Sequence, residues 1–170
     1  MAEQQQECIF CAIIAGKVPA GRIYEDSTTI AFLDINPRNP GHTLVIPKKH
    51  VETIMDMGDQ DVGRLFEVVR RLSVAVKTSM NADGVSITQS NYRAAGQVVP
   101  HVHVHIIPRF NSEGPPSLES ILGVKKLPDD VSTKIAGTIK EAVGKAGATV
   151  YEEKKSDEPK KKKKSYFDEL

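Results

Sequence analysis

Hydrophobic residues recur at helical spacing in one long stretch of the chain, between Asp59 and Met80. The apolar positions lie three or four residues apart, with charges mostly on the opposite side: Val62, Leu65, Phe66, Val69, Leu72, Val76 and Met80. This period predicts an amphipathic helix with one face in the core. A short helix is predicted from Phe10 to about Ala15, and another begins near Asp129.

Shorter apolar segments bounded by turn-forming residues predict β-strands. The first four are Arg22–Glu25, Thr28–Asp34, His42–Pro47 and Val85–Gln89. The fifth starts at His101 and carries a histidine at every second position.

The histidines of this fifth strand share one predicted face. β-branched Val and Ile favour an extended backbone, in which successive side chains point to opposite sides. His101, His103 and His105 are therefore expected on one side, about 6.5–7 Å apart, with aliphatic residues on the other. A row of imidazoles on a buried strand indicates metal binding, phosphate chemistry or both. Buried structural histidines are the alternative.

Composition adds limits rather than a function. The 170 residues include 39% hydrophobic residues and carry a net charge of +1, which gives no case for nucleic-acid binding. No apolar run approaches the roughly 20 residues of a membrane helix. The polar N-terminal residues lack a signal-peptide pattern, so we expect a reducing cytoplasmic location and no membrane partner.

The last third of the chain differs from the rest. We expect a main domain at 1–110, a helical extension at 111–150 and a disordered charged tail at 151–170. The tail contains the lysine run Lys160–Lys164. This run could contact nucleic acid weakly, but a solvated tail is the favoured interpretation.

The two cysteines, Cys8 and Cys11, have the spacing of a redox pair or of half a zinc site. Two apolar packing residues are the other interpretation. Because Zn–N bonds measure only about 2.0–2.1 Å, the histidine strand can give one zinc ion a single ligand, or two with distortion. With His50 and His101 the cysteines would complete a Cys2His2 set, which leaves no open position and indicates a structural zinc.

The remaining histidines, His42, His103 and His105, follow a polar loop or begin a strand. A neutral imidazole can attack phosphorus and form a covalent phosphoramidate. Backbone N–H groups around Gly96 and the side chains of Asn91 and Gln97 could hold phosphate oxygens. Asp34 could accept hydrogen bonds from ribose hydroxyls. These residues favour phosphoryl or nucleotidyl transfer.

The segment His101-Val102-His103-Val104-His105-Ile106-Ile107 resembles the signature of the histidine triad (HIT) family, and the likeness covers roughly residues 7–110. It includes the cysteine pair, the segment 40–50 and the sequence Ala95-Gly96-Gln97. Several spaced motifs in one order are more specific than a single short pattern.

The resemblance implies an α+β fold: a five-stranded antiparallel sheet, one long packed helix and a short N-terminal helix. It also implies a homodimer with a continuous ten-stranded sheet, and a purine nucleotide pocket. By position His103 is the nucleophile, His105 contacts the phosphate and His42 supports the catalytic histidine. The resemblance assigns ribose binding to Asp34. It assigns binding of the phosphate and the leaving group to Asn91, Gly96, Gln97 and Val98. Zinc-containing members use the counterparts of the four residues already named.

Two positions depart from the family pattern. Relatives often have Gly at the place of Tyr92, and Ser or Thr at the place of Val98, where only the backbone N–H remains for the leaving group. We expect a hydrolase that cleaves a nucleoside phosphoramidate or dinucleoside polyphosphate at the α-phosphorus through a nucleotidyl-histidine, releasing AMP. A nucleotidyltransferase, or a nucleotide-binding interaction module with incidental catalysis, are the alternatives.

Overall fold

The computed structural model describes residues 8–113 and 128–145. The chain divides into two compact units, Met1–Pro116 and Ser117–Leu170. Part of the predicted helical extension at 111–150, including residues 117–122, and the predicted charged tail at 151–170 lie outside the described residues. The predicted domain limits at 110 and 150 therefore stay predictions.

The first unit contains two α-helices and one antiparallel sheet. The helices are α1 (Ile9–Ile14) and α2 (Asp59–Ser79), and the strands are β1 (Arg22–Glu25), β2 (Thr29–Leu33), β3 (Thr43–Pro47), β4 (Gly84–Gln89) and β5 (Val104–Arg109). The sheet order is β1-β2-β3-β5-β4, and every neighbouring pair is antiparallel. The predicted α+β fold with a five-stranded antiparallel sheet is confirmed.

The second unit contains helix α3 (Asp129–Lys145), at the place where the sequence predicts the helix of the extension. Within the described residues 8–113 and 128–145, no helix is both long and apolar enough to cross a membrane.

Helices cover both faces of the sheet. On one face, α2 packs its buried residues against alternate strand positions that include Ala31, Val45, Val104 and Ile106. On the other face, Phe10 and Ile13 of α1 pack against the intervening positions: Ile30, Phe32, Leu44 and Ile46. Because successive strand residues point to opposite sides, β3 in the middle of the sheet is buried at every position.

The histidine strand is shorter than predicted. Regular pairing in β5 begins at Val104, so the prediction of a strand from His101 was wrong for its first three residues. The His101 N–H donates to the Val99 carbonyl and the Val102 N–H to the Val51 carbonyl, both at 2.8 Å. The acceptors of these hydrogen bonds lie in loops and not in a neighbouring strand. His101 is therefore held outside the regular pairing of the sheet.

The packing around Gly41, the residue directly before His42, can be tested by substitution. Its φ is +89°, and an added Cβ would lie 2.6 Å from Met80 Cγ and 2.7 Å from Met80 Sδ. We expect Gly41→Ala to lower the free energy of unfolding by about 1–3 kcal/mol, because backbone strain adds to the displacement of Met80. Urea unfolding followed by circular dichroism measures this.

Gly63 in α2 is the matched control, since an added Cβ there meets nothing within 4 Å. Gly63→Ala should raise the free energy of unfolding by roughly 0.5–1 kcal/mol through helix propensity alone. Equal effects of the two substitutions would contradict the described packing at Gly41.

Candidate functional site

Two thiols and two imidazoles converge beside α1. Cys8 precedes α1 and Cys11 lies in it, while His50 follows β3 and His101 precedes β5. The Cys11 Sγ–His50 Nδ1 distance is 3.3 Å and the Cys8 Sγ–His101 Nδ1 distance is 3.5 Å. The two imidazole Nδ1 atoms are 3.2 Å apart. The structure thus brings the four predicted metal ligands together, with all four ligand atoms within 4.8 Å of one another.

The backbone contact of His101 suits a metal at this cluster. His101 Nε2 lies 2.9 Å from the Pro47 carbonyl oxygen. Since a carbonyl only accepts, this hydrogen bond assigns the proton to Nε2 and leaves the Nδ1 lone pair directed at the thiols. Burial lowers the pKa of the fully buried His101 imidazole, which favours the neutral form that a metal requires. The residues therefore fit a tetrahedral Cys2His2 site.

His103 has the opposite tautomer. Its Nδ1 donates to the His101 carbonyl oxygen at 2.7 Å, so Nε2 carries the lone pair. Phe10 packs edge-on against the ring, with centroids 5.4 Å apart, and the residue is buried. Within residues 8–113 and 128–145, no hydrogen bond occupies His103 Nε2. In its neutral form the ring therefore has its lone pair on Nε2, and the hydrogen bond and the contact with Phe10 fix its orientation.

His42 and His105 form a hydrogen-bonded pair. The Arg38 backbone N–H donates to His42 Nδ1 at 3.1 Å, so a neutral His42 carries its proton on Nε2. This Nε2 lies 2.9 Å from His105 Nδ1, which must then accept. His105, whose side chain is partly exposed, consequently has its own proton on Nε2.

The same pattern argues against a metal at this second cluster. Asp34 Oδ2 lies 3.6 Å from His42 Nε2 and 3.9 Å from His105 Nδ1. By distance alone the three residues could hold an ion. However, His42 Nε2 bears a proton where a metal needs a lone pair, because its Nδ1 already accepts an N–H. His42 and His105 are better described as a hydrogen-bond relay, with Asp34 next to it.

Burial keeps the relay neutral. It lowers the pKa of His105 to about 4, with further lowering by the neighbouring His103 and His42. Burial also lowers the pKa of His42, and the nearby Asp34 carboxylate only partly opposes it. At pH 7 His105 therefore presents a neutral N–H donor beside the lone pair of His103, and the two ring centroids are 5.0 Å apart.

The side chains of Asn91 and Gln97 bond within the protein. Gln97 Oε1 accepts from the Tyr92 N–H at 2.6 Å, and its Nε2 donates to the Glu52 carbonyl at 2.7 Å. Asn91 Oδ1 accepts from the Ile54 N–H at 2.9 Å, and its Nδ2 donates to Gln89 at 2.8 Å. These amides hold the loop in place, and the prediction that they contact phosphate stays a prediction.

The loop also lines a cleft of about 760 Å³. Gly96, Gln97 and Val98, three residues predicted to bind nucleotide, contribute to its wall. Gly96 has φ +91°, and an added Cβ there would meet nothing within 4 Å. Its open surface leaves room for a ligand close to the backbone.

Sequence reasoning missed the backbone partners of the histidines. The Arg38 N–H, the Pro47 carbonyl and the His101 carbonyl each decide a tautomer. Main-chain groups have no residue signature, so no motif could have identified them.

Comparison with known proteins identifies the class. Residues 15–112 match the family model described as the HIT domain. An uncharacterized HIT-like protein of Methanocaldococcus jannaschii is 50% identical over 107 residues, which are 63% of this chain and 82% of the relative. The chain therefore belongs to the HIT family.

Two further relatives are named as enzymes. The adenosine 5'-monophosphoramidase hnt1 of Schizosaccharomyces pombe is 37% identical over 134 residues, covering 75% of this chain and 98% of the relative. The adenylylsulfatase HINT3 of Arabidopsis thaliana is 39% identical over 105 residues, covering 62% of this chain and 53% of the relative. They confirm the prediction of a hydrolase of this family.

Solved structures agree with the fold. The histidine triad nucleotide-binding protein of Candida albicans has a TM-score of 0.71 at 32% identity, over 82% of this chain and 99% of that one. A Zn-bound histidine triad family protein of Mycobacterium smegmatis has a TM-score of 0.61 at 39% identity, over 67% of this chain and 86% of that one. The predicted HIT fold is confirmed.

The lowered pKa of His105 predicts a pH dependence of stability. The value of about 4 lies below the ordinary 6.5, so the unfolded chain binds more protons between these values. The free energy of unfolding should therefore decrease as the pH falls from 6.5 towards 4. His105→Gln should make this decrease shallower. Urea unfolding of both proteins at pH 7, 6 and 5 gives the comparison, and parallel slopes would contradict the assignment.

Proposed function

We propose that this protein hydrolyses a nucleoside phosphoramidate or a dinucleoside polyphosphate at the α-phosphorus and releases a nucleoside monophosphate such as AMP. The observation that carries the proposal is the unprotonated Nε2 of His103, held beside the relay of His42 and His105. The names of the two enzyme relatives support an adenine nucleotide as substrate.

In the first step His103 Nε2 forms a bond to phosphorus. The bond from phosphorus to the leaving nitrogen or oxygen breaks, and its electron pair goes to the leaving group, which takes a proton from water. The imidazole then carries a positive charge, which the His101 carbonyl stabilises through the Nδ1–H bond. In the second step water attacks phosphorus and releases a proton to the solvent, which restores the proton taken in the first step. The P–Nε2 bond breaks, and its electron pair returns to His103.

The relay would stabilise the charge that develops on the phosphate. His105 Nε2–H donates without carrying a positive charge, and His42 holds this tautomer in place. We assign the ribose to Asp34, whose side chain is only 15% exposed and lies next to the relay. The phosphate and leaving group would lie along the Asn91–Val98 loop, beside the open backbone of Gly96 and the backbone N–H of Val98.

We also propose that Cys8, Cys11, His50 and His101 bind a structural zinc ion. Four protein ligands leave no position for water or substrate, so such an ion would supply stability only. It would tie Cys8 and α1 to the segment that follows β3 and the segment that precedes β5. The Zn-bound relative from Mycobacterium smegmatis supports this choice of metal.

The homodimer implied by the family resemblance stays a prediction, and so does a cytoplasmic location. The edge strands of the sheet are β1 and β4. A continuous ten-stranded sheet would require two copies of the chain to pair along one of these edges.

Substitution of the nucleophile tests the proposed reaction. We expect His103→Ala and His103→Asn to lower kcat/KM at least about 1,000-fold for AMP-morpholidate or diadenosine tetraphosphate, because each removes the attacking nitrogen. AMP binding, measured by calorimetry, should survive in the Asn variant. If wild type and variants are equally inactive while AMP still binds, the protein is a nucleotide-binding module. Transfer of AMP to an added acceptor in preference to water would indicate a nucleotidyltransferase.

Metal analysis tests the zinc proposal. Protein purified without chelator should contain about one zinc per chain, and Cys8→Ser should lose most of it and unfold at a lower temperature. Chelator-treated wild type provides the matched comparison, since it should unfold near the temperature of the variant. A zinc content of a few tenths of an equivalent or less, unchanged in Cys8→Ser, would remove the site.

A further inference from the structure

We infer that Tyr92 determines specificity for the leaving group, by presenting its ring as a stacking surface for a planar aromatic group. The inference rests on the proposed function, since it takes the cleft beside the Asn91–Val98 loop as the place where the leaving group departs. It adds a contact that the reaction itself does not require.

The backbone of Tyr92 is strained. Its φ is +65° and its ψ is 159°, a combination that only glycine adopts without steric conflict. In residues 8–113 and 128–145, Asn81 is the other non-glycine residue with positive φ. A bulky residue in such a conformation persists where the surroundings enforce it, and strain of this kind concentrates at functional sites.

Hydrogen bonds on both sides of the residue enforce the conformation. The Tyr92 N–H donates to Gln97 Oε1 at 2.6 Å, and its carbonyl accepts from the N–H groups of Ala95 and Gln97 at 3.1 and 3.2 Å. The buried Gln97 side chain is in turn anchored on the Glu52 carbonyl. The direction of the Tyr92 Cα–Cβ bond is therefore set in advance, which lowers the entropy lost when a ligand contacts the side chain.

The cleft has the chemistry of an aromatic subsite. Its apolar wall comes from Tyr92, Val98 and Pro100. Tyr92 is 54% exposed and Val98 is 89% exposed, so both offer apolar surface to a ligand. The volume of about 760 Å³ suits a group of nucleoside size. Glu52 and Arg93 add one charge of each sign to the wall, so either an amine or a phosphate could accompany the ring.

A planar ring on the leaving side has two sources, an aromatic amine or the second base of a dinucleoside polyphosphate. Two matched substrate pairs separate them. The first pair is the phenethylamide and the methylamide of AMP, and the second is diadenosine tetraphosphate and adenosine tetraphosphate. Within each pair the ring on the leaving side is the main difference.

The measured quantity is the ratio of kcat/KM within each pair. For wild type we expect at least one ratio to be about five- to tenfold in favour of the ring, as aromatic stacking at a partly exposed site allows. Tyr92→Phe should keep that ratio, whereas Tyr92→Ala and Tyr92→Gly should bring it close to one. Val74→Ala truncates an exposed apolar side chain on α2 and is the control that should keep it.

Thermal unfolding of the same variants tests the strain. Both Tyr92→Ala and Tyr92→Gly remove the ring, but only glycine relieves the backbone. We therefore expect Tyr92→Gly to unfold about 2–4 °C above Tyr92→Ala. An alanine variant as stable as the glycine variant would overturn the strained conformation on which the inference depends.

The outcomes separate this inference from the proposed function. If wild type hydrolyses these substrates and the ratios are near one, or are unchanged in Tyr92→Ala, the inference fails and the proposed function stands. If wild type hydrolyses none of the four substrates, the proposed function fails and the inference fails with it.

Discussion

The hydrogen bond from His103 Nδ1 to the His101 carbonyl, 2.7 Å long, connects the two parts of the site. It can hold the His103 ring only if the His101 backbone is itself fixed. His101 is held by its own N–H bond to Val99 and by its ring, which lies between the Pro47 carbonyl and the two thiols. The proposed metal cluster and the proposed nucleophile thus meet in one residue. A stable metal cluster should therefore help to keep the His103 ring, and with it Nε2, in a fixed orientation.

The same side chain takes opposite roles because its backbone partners differ. A carbonyl partner accepts a hydrogen bond from one ring N–H, so the far nitrogen of the neutral ring carries the lone pair, as in His101 and His103. An amide N–H partner, such as that of Arg38 for His42, donates to one ring nitrogen. The far nitrogen of the neutral ring then carries the proton and is a donor. The His42 Nε2–H then donates to His105 Nδ1 at 2.9 Å, which leaves the proton of His105 on its Nε2. The proposed ligand, the proposed nucleophile and the proposed donor therefore differ in their main-chain partners and not in residue type.

Much of this could be predicted from the sequence. Alternating and helical periodicities found the strands and α2. The fixed demands of a tetrahedral metal led to Cys8, Cys11, His50 and His101, which the structure brings together. The start of β5 was missed because pairing there depends on loops that are distant in sequence, such as the one containing Val51. The φ of Tyr92 was also missed, since local propensity disfavours it. The hydrogen bonds that hold it, from the Tyr92 N–H to Gln97 Oε1 and from two loop N–H groups to the Tyr92 carbonyl, have no signature in the sequence.

The tautomers of the histidine rings test this account most directly. Long-range 15N–1H correlation spectra of the protein at pH 7 report which ring nitrogen carries each proton. The account predicts a proton on Nδ1 and none on Nε2 for His103, and protons on Nε2 for His42 and His105. A proton on His103 Nε2 at this pH would contradict it, because the nitrogen proposed to attack phosphorus would then have no lone pair to donate.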